Sequence, residues 1–156
     1  MRVRDAQVDD LPAIVAMYAD DDLGQARENP ALPLAPEYLA AFHEIGRDPR
    51  HRLVVAEADD DIVATLQLSF IPHLVLGGGE RAQIEGVRVR AGHRGGGIGQ
   101  ALMTWAIEQA RDRGCLLVQL ATNVARPEAR RFYEQLGFVG SHVGMKLSLG
   151  SVERSG

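Results

Sequence analysis

The stretch from residue 87 to residue 102 has the sequence Val87-Arg88-Val89-Arg90-Ala91-Gly92-His93-Arg94-Gly95-Gly96-Gly97-Ile98-Gly99-Gln100-Ala101-Leu102. Its pattern predicts a strand, a glycine-rich turn and the start of a helix. Backbone N–H groups in the first turn of a helix have no intrahelical partner, and the helix dipole adds partial positive charge there. Glycines also allow a ligand to approach the backbone closely. The stretch therefore predicts a binding site for an anionic group, above all a phosphate.

Three kinds of phosphate loop differ in spacing. A Walker loop needs GxxxxGK[ST], and the only lysine, Lys146, lies in another element. The dinucleotide fingerprint GxGxxG fails, because Gln100 or Leu102 takes the place of its last glycine. The spacing that fits is Arg-x-x-Gly-x-Gly, at Arg94, Gly97 and Gly99. Considered alone, the turn could also be an exposed strand-to-helix connection whose glycines relieve backbone strain.

The composition indicates an ordinary globular domain. Of 156 residues, 46% are apolar and 24% are charged, which argues against a disordered chain. The net charge of −4 argues against general nucleic-acid binding through a positive field. A single cysteine, Cys115, excludes an internal disulfide framework and a cysteine-based zinc site. Of the 17 basic residues, only Lys146 is not arginine.

No apolar run approaches the length of a membrane span, and the first residues lack the apolar core of a signal peptide. We therefore expect no membrane association and a cytoplasmic location. The histidines show no metal-ligand spacing, so no metal site is predicted.

The hydrophobic pattern predicts strands and helices mixed along the whole chain, in one α/β (α+β) domain over residues 1–150 with a polar tail at 151–156. Asp9 and Asp10 precede the first helix and suit its N-terminal cap. The predicted helices cover residues 11–18, 37–45, 98–113 and 127–135. The predicted strands cover residues 2–6, 53–57, 62–70, 82–90, 115–121, 138–139 and 144–149.

A second motif follows the fifth strand and reads Ala129-Arg130-Arg131-Phe132-Tyr133-Glu134-Gln135-Leu136-Gly137-Phe138. It is similar to the A-x-x-F-Y-x-x-x-G-F signature of the GNAT superfamily, the Gcn5-related N-acetyltransferases. The glycine loop resembles motif A of the same family, and Asp9-Asp10-Leu11-Pro12-Ala13-Ile14 resembles the start of its first helix. Two separate motifs in the right order are more specific than either alone.

The resemblance implies a GNAT fold: a mixed, mostly antiparallel sheet of six or seven strands with helices on both faces. It implies a splay between the 82–90 strand and the 115–121 strand, where the pantetheine arm of the cofactor enters. It also implies direct transfer of acetyl from acetyl-CoA to an amine within a ternary complex. Many family members are homodimers, so the resemblance implies a homodimer as well.

The family's cofactor contacts can be carried over residue by residue. Backbone groups at Val87, Arg88 and Val89 match those that pair with the pantetheine arm and polarise the thioester carbonyl, an arrangement that would stabilise a developing oxyanion. The pyrophosphate loop matches Arg94, Gly95, Gly96, Gly97, Ile98 and Gly99, with Gln100 at its edge.

The resemblance implies that Tyr133 is the general acid that protonates the departing thiolate, although its helical spacing also suits a core position. Glu85 is the candidate general base, because a carboxylate in an apolar strand is costly to bury unless it is paired or used. Its alternative is a structural ion pair with a nearby arginine.

Two further residues are candidates for binding. Arg126 stands where many family members have an asparagine that contacts the cofactor, so it could bind CoA phosphates or have no such role. His73 follows a strand near the expected acceptor side and could contact the substrate, although it could equally be a solvated loop histidine.

The function predicted by these residues is acetylation of a primary amine on a small molecule. Two alternatives share the fold: a protein or peptide N-acetyltransferase, and a non-catalytic acyl-CoA-binding regulator. A third alternative is a nucleotide-binding module of another class.

Overall fold

A computed structural model describes residues 1–150. The polar tail predicted at 151–156 lies outside the described residues. The strands are β1 (Arg2–Asp5), β2 (His51–Ala58), β3 (Asp61–Pro72), β4 (Glu80–Val89) and β5 (Leu117–Leu120). The helices are α1 (Leu11–Tyr18), α2 (Asp22–Gln25), α3 (Pro36–Arg47), α4 (Val75–Gly78), α5 (Ile98–Asp112) and α6 (Pro127–Gln135), and a 3-10 turn covers Val8–Asp10.

The chain divides into two compact units, Met1–Leu120 and the part from Ala121 onward. The first unit holds a five-stranded sheet in the order β1-β2-β3-β4-β5. Neighbouring strands are antiparallel, except that β4 and β5 are parallel. The prediction of a mixed, mostly antiparallel sheet is confirmed, whereas the prediction of one domain over residues 1–150 stays a prediction.

Helices cover both faces of the sheet. Residues 53–56 of β2 and 63–66 of β3 are all buried. Because successive side chains of a strand point to opposite faces, both faces of the sheet are covered here. Leu53 packs in a cluster with residues of α1 and α3. Its neighbour Arg52 points the other way, to α5, where its guanidinium lies 5.1 Å from the Trp105 ring and donates to Gln109 over 2.8 Å.

Helix α1 begins after the 3-10 turn and places Leu11, Ile14 and Val15 in the core. The sequence suggested Asp10 as its N-terminal cap, but the Asp10 side chain makes no such bond. The carboxylate instead accepts the guanidinium of Arg4, over 2.6 and 3.0 Å, and the backbone N–H of Gln7. The carboxylate is thus bound by Arg4 on β1, six residues earlier, and does not cap α1.

Helix α5 starts where the sequence predicts. Gly97 stands at its N-terminal cap in the left-handed conformation, with φ of +82°. The helix buries Leu102, Met103 and Ala106 and ends before Gly114, whose φ is +81°. Glycine suits both ends because it adopts positive φ without steric cost. No helix within residues 1–150 has both the length and the apolar character needed to cross a bilayer.

The prediction of strands at 138–139 and 144–149 is wrong, and the sheet described for residues 1–150 has five strands instead of six or seven. The alternating residues Val143, Met145, Leu147 and Leu149 are 86% or more exposed. Alternation predicts a half-buried strand only where a neighbouring strand and a core are available. The loop predicted between α1 and α3 also contains α2, which begins where Asp21 accepts the N–H of Gly24.

Candidate active site

The glycine loop presents an open backbone surface before α5. Gly92, Gly95 and Gly97 all have φ between +80° and +85°. A Cβ placed on any of the three would meet no other atom within 4 Å, so the space beside the loop is open. Because the loop leads into a 15-residue helix, its N–H groups and the helix dipole suit an anionic ligand. This geometry fits the pyrophosphate group that the resemblance implies.

Arg94 links this loop to the C-terminal end of α1. Its Nη2 lies 2.8 Å from the Asp20 carboxylate, and its Nε donates to the carbonyl of Val89 over 3.0 Å. The side chains of Arg94 and Asp20 are 54% and 41% exposed. The guanidinium therefore stands at the edge of the loop, in an ion pair that remains open to solvent.

The C-terminal half of β4 has an open edge. Strand β5 pairs with β4 only from Arg81 to Ile84, and in the described residues the rest of β4 has β3 as its strand neighbour. The N–H of Arg90 donates to Val63 on β3. Since backbone groups alternate between the two edges of a strand, those of Val89 and Val87 point away from β3. The sequence predicted cofactor contacts at these two positions.

Two arginines occupy carbonyls along this edge. Arg88 donates from Nη1 to the carbonyl of Val87 over 2.8 Å, and Arg94 donates to that of Val89. The glycine loop and the open edge of β4 thus lie together in the first unit. This proximity is the geometric basis for one extended binding site.

A β-bulge interrupts β4 just before this edge. Thr65 of β3 pairs with Arg88, but Gln67 pairs with Glu85, so β4 has one extra residue. Gly86 lies in the bulge with φ of +62°. In a regular strand, residues three apart point to opposite faces; the bulge instead places Glu85 and Arg88 on the same face. Glu85 is exposed there, so the cost of burial that motivated its prediction as a base does not apply.

Tyr18, at the end of α1, lies against this bulge. A Cβ on Gly86 would come within 3.1 Å of the Tyr18 hydroxyl, so glycine makes room for the phenol. The Arg88 guanidinium lies 5.8 Å from the centre of the Tyr18 ring. Burial raises the pKa of Tyr18 above its usual value, and the nearby charge of Arg88 only partly opposes this shift. The phenol is therefore neutral at physiological pH.

Glu28 lies in the segment between α2 and α3. Its negative charge contributes to the raised pKa of Tyr18. The Glu28 carboxylate accepts the hydroxyl of Tyr38 over 2.7 Å and Nε of Arg27 over 3.1 Å, and its side chain is 19% exposed.

The sequence pattern places Tyr18 on the core-facing stripe of α1 and gives no role to Glu28. The one sequence feature that could have singled out Tyr18 is its phenol at the end of the apolar face of α1. A loop carboxylate such as Glu28 has no periodic pattern that could have marked it.

His73 lies at the other end of β4. Its Nδ1 donates to the carbonyl of Gly79, and this bond closes the loop between β3 and β4. Pro72, beside it, pairs with Glu80, five residues before Glu85. Five strand residues span roughly 17 Å. The structure thus does not bring His73 to Glu85, and its role as a substrate contact stays a prediction.

The second unit holds the other two predicted site residues. Tyr133, on α6, is half-buried and makes edge contacts with the rings of Phe132 and Phe138, at 5.2 and 6.1 Å. Arg126 stands at the N-terminal cap of α6, with its N–H donating to Asn123. Their roles in acid catalysis and cofactor binding stay predictions. Across residues 1–150, no group of three or more His, Cys, Asp or Glu side chains is placed to hold a metal ion.

Comparison with known proteins connects this geometry to a family. The model of the acetyltransferase (GNAT) family matches residues 14–138. A solved structure from Bacillus halodurans C-125, described as a transcriptional regulator, superposes with a TM-score of 0.91; it is 49% identical and covers 94% of this chain and 98% of its own.

Two curated relatives carry names of acetyltransferases. A protein of Oryza sativa subsp. japonica, named probable glucosamine 6-phosphate N-acetyltransferase 2, is 33% identical over 120 residues, 72% of this chain and 69% of its own. Aminoalkylphosphonate N-acetyltransferase of Salmonella typhimurium is 47% identical over 49 residues, which is 31% of this chain and 32% of that protein. Because the family model spans well over half of its residues, the chain belongs to the acetyltransferase (GNAT) family.

Proposed function

We propose that this protein transfers an acetyl group from acetyl-CoA to a primary amine of a small molecule, in a ternary complex. The observation that carries the proposal is the pairing of an open glycine loop before α5 with an open edge on β4. An anionic cofactor with a long amide-bearing arm needs both features. The homodimer implied by the resemblance and the cytoplasmic location expected from the sequence belong to the same proposal.

The residues that would hold acetyl-CoA are those of the loop and the strand edge. Loop N–H groups and Arg94 would bind the pyrophosphate through charge-assisted hydrogen bonds. The backbone N–H groups of Val87 and Val89 would pair with the amide-bearing arm, since the carbonyls of these residues already accept from Arg88 and Arg94. When bound, acetyl-CoA supplies the thioester from which acetyl is transferred.

The chemistry assigned to this chain's residues is proton transfer. The neutral amine nitrogen forms a bond to the acetyl carbon as the carbon–sulfur bond breaks. Tyr133 donates its proton to the departing thiolate, and the nitrogen releases a proton to Glu85, directly or through water. General acids and bases of this kind contribute about 10²- to 10⁴-fold each.

The names of the relatives support a small-molecule acceptor. Both curated names, glucosamine 6-phosphate N-acetyltransferase and aminoalkylphosphonate N-acetyltransferase, describe acceptors in which an amine and a phosphorus-containing acid occur together. We extend this class of acceptor to the present chain as part of the proposal.

The experiment combines binding and turnover. Calorimetry with CoA, ATP and NAD should show tight binding of CoA alone, and a thiol-release screen over amines, amino acids, polyamines, aminoglycosides and peptides should find the acceptor. The Tyr133→Phe variant should lose about a hundredfold or more in kcat and keep its affinity for CoA. Unchanged turnover would remove Tyr133 from the mechanism, and release only with peptides would favour a protein acetyltransferase.

A second candidate is a non-catalytic regulator that binds acyl-CoA. The specific observation in its favour is that the Bacillus halodurans structure, 49% identical to this chain, is described as a transcriptional regulator. This candidate predicts CoA binding without thiol release for every amine tested. Thiol release that Tyr133→Phe abolishes would exclude it.

A further inference from the structure

We propose that Arg81 selects the acceptor by length, because it binds an anionic group at the far end of an elongated amine whose nitrogen lies at Glu85. The anionic group is a carboxylate or a phosphate, since a guanidinium recognises both through two parallel hydrogen bonds. This inference rests on the proposed function. It narrows the acceptor to amines whose acidic group is well separated from the nitrogen, and it assigns that selection to one residue.

Arg81 lies on the same face of β4 as Glu85. Leu53 of β2 packs against α1 and α3, and its partner on β3 is Gln67, which in turn pairs with Glu85. Paired residues of neighbouring strands share a face, so Glu85 lies on the side of α1 and α3. The register of β3 and β4 has no shift between residues 81 and 85. Because side chains alternate along a strand, Arg81, Gln83 and Glu85 form one row.

This row is accessible, whereas the other face of β4 is not. On the other face, Ala82 and Ile84 are 0% and 1% exposed. On the row itself, Arg81 and Gln83 are half-buried and Glu85 is exposed. The middle of the sheet thus carries polar and charged side chains that a ligand can reach, beside the carboxylate to which the proposed function assigns proton acceptance.

The guanidinium of Arg81 makes no hydrogen bond or ion pair with the residues that the structure describes, and its Nε is also shielded from solvent. The adjacent acid, Glu80, points to the other face and accepts Nε of Arg113 over 2.5 Å. A shielded donor without an acceptor is costly, and more so when it belongs to a charged group. Since Arg81 as a whole is only half-buried, an anionic oxygen can approach it and supply the missing acceptor.

The middle of the row offers further hydrogen-bond donors. The side chain of Gln119 on β5 donates to that of Gln83 over 2.5 Å, and the two residues are partners in the parallel pair of strands. Each amide carries two N–H groups, so both retain a donor for an oxygen of the ligand. An acceptor molecule on this row meets a carboxylate at one end, amide donors in the middle and a guanidinium at the other end.

The spacing along β4 sets the length of the acceptor. Arg81 and Glu85 are four positions apart, so their Cα atoms are about 13 Å apart in an extended strand. A short acceptor such as β-alanine does not extend from Glu85 to Arg81, whereas 6-aminohexanoate or glucosamine 6-phosphate approaches it. A diamine of the same length is repelled by the guanidinium, which adds selection against it.

The experiment compares acidic and neutral acceptors of matched length: 6-aminohexanoate with 6-amino-1-hexanol, glucosamine 6-phosphate with glucosamine, and β-alanine with 3-amino-1-propanol. In the wild type, kcat/KM should favour the acidic member by tenfold or more in at least one of the two long pairs, and by less than threefold in the short pair. The long pair that shows the preference distinguishes a carboxylate from a phosphate.

Variants of Arg81 test whether this residue causes the preference. In Arg81→Gln the ratio within the preferred long pair should fall to about one, mainly through a higher KM for the acidic member. Arg81→Lys should restore part of the ratio, because it keeps the charge but not the two-pronged geometry. The matched control is Arg113→Gln, which removes a positive charge at the same end of β4 on the opposite face and should leave the ratio unchanged.

Several outcomes would overturn the inference. One is a wild type without preference in both long pairs, and another is a tenfold preference in the short pair. A preference that survives in Arg81→Gln, or that is lost equally in Arg113→Gln, would do the same.

A binding measurement separates this inference from the proposed function. In the presence of CoA, 6-aminohexanoate or glucosamine 6-phosphate should raise the melting temperature of the wild type but not of Arg81→Gln. If no amine is acetylated but this difference is observed, the proposed function fails and the assignment of Arg81 stands. If amines are acetylated with the same preferences in wild type and Arg81→Gln, the proposed function stands and the assignment fails. If neither acetylation nor the rise in melting temperature is observed, both fail.

Discussion

The two ends of α1 carry similar charged residues in very different settings. At the N-terminal end, Arg4 binds Asp10 and Glu57 with side chains that are 11–24% exposed. At the C-terminal end, Arg94 binds Asp20 with both side chains about half exposed. The first network is closed, because Nε, Nη1 and Nη2 of Arg4 all donate to protein acceptors.

The difference indicates which arginines are available to a ligand. Breaking a part-buried network leaves charges without solvent or partners, which is costly. An exposed ion pair contributes about 0–1 kcal/mol, so an anionic ligand can displace its carboxylate at little cost. Arginine content alone therefore says little about function. The burial of each guanidinium separates the structural arginine from the one suited to cofactor binding.

The largest expected effect is at the closed end. Asp10→Asn removes the charge that accepts two bonds from Arg4. Hydrogen bonds to charged groups contribute roughly 1.5–3 kcal/mol, so we expect the free energy of unfolding to fall by about 2–3 kcal/mol. Urea denaturation measures this loss. The affinity of the variant for CoA should equal that of the wild type. A weaker affinity in the folded variant would show that the network at Arg4 also affects CoA binding, against the contrast between the two ends of α1.

The same variant should change how stability depends on pH. The hydrogen bond from Arg4 holds the pKa of Asp10 below its usual value of 3.8. The resulting stabilisation is complete above the pKa of the unfolded chain and is lost as the pH falls through the lower pKa of the folded protein. The stability gap between wild type and Asp10→Asn should be constant from about pH 5 to 8 and should narrow below about pH 4. A constant gap down to about pH 2.5 would contradict this assignment.

An intermediate effect is expected at the open end. Arg94→Ala removes a guanidinium placed beside the glycine loop, and we expect the Kd for CoA to rise about tenfold, since one charge-assisted bond contributes roughly 1.5 kcal/mol. The free energy of unfolding should change by less than about 0.5 kcal/mol, because the ion pair is exposed. Calorimetry and denaturation measure the two quantities. The control is Arg47→Ala, which breaks an exposed ion pair on α3; an equal loss there would show that Arg94 is not specific.

The open end was predictable from sequence where its features are local. The positions of Gly97 and Gly99 relative to Arg94, and the start of α5, depend on residues within a few positions of one another. Backbone φ preference and helix capping operate over that range. For the same reason α1, α5 and α6 were predicted close to their observed bounds.

The rest depends on pairing between distant segments. Tyr18 and Arg88 come together because the β3–β4 register shifts at Gly86. A glycine inside a strand can mark a bulge, but it does not specify how the partner strand pairs on either side of it. Arg4 lies only six residues before Asp10, but it also donates to Glu57 on β2, so its position depends on the pairing of β1 with β2. The strand predicted at 144–149 is wrong because alternation describes a residue pattern and not the neighbour that a strand requires.

The smallest effect tests whether Asp20 competes with the cofactor. The Asp20 carboxylate accepts from Nη2 of the Arg94 guanidinium over 2.8 Å. Asp20→Asn weakens that hold and removes a negative charge beside the loop, so the Kd for CoA should fall about two- to threefold, in line with the small contribution of an exposed pair. The gain should shrink at high salt, because exposed charges are screened. Asp22→Asn, which neutralises a nearby exposed carboxylate in α2, is the control. Weaker CoA binding in Asp20→Asn would mean that Asp20 orients Arg94 toward the loop instead of competing with the cofactor for its guanidinium. The ion pairs at both ends of α1 would then have a structural role.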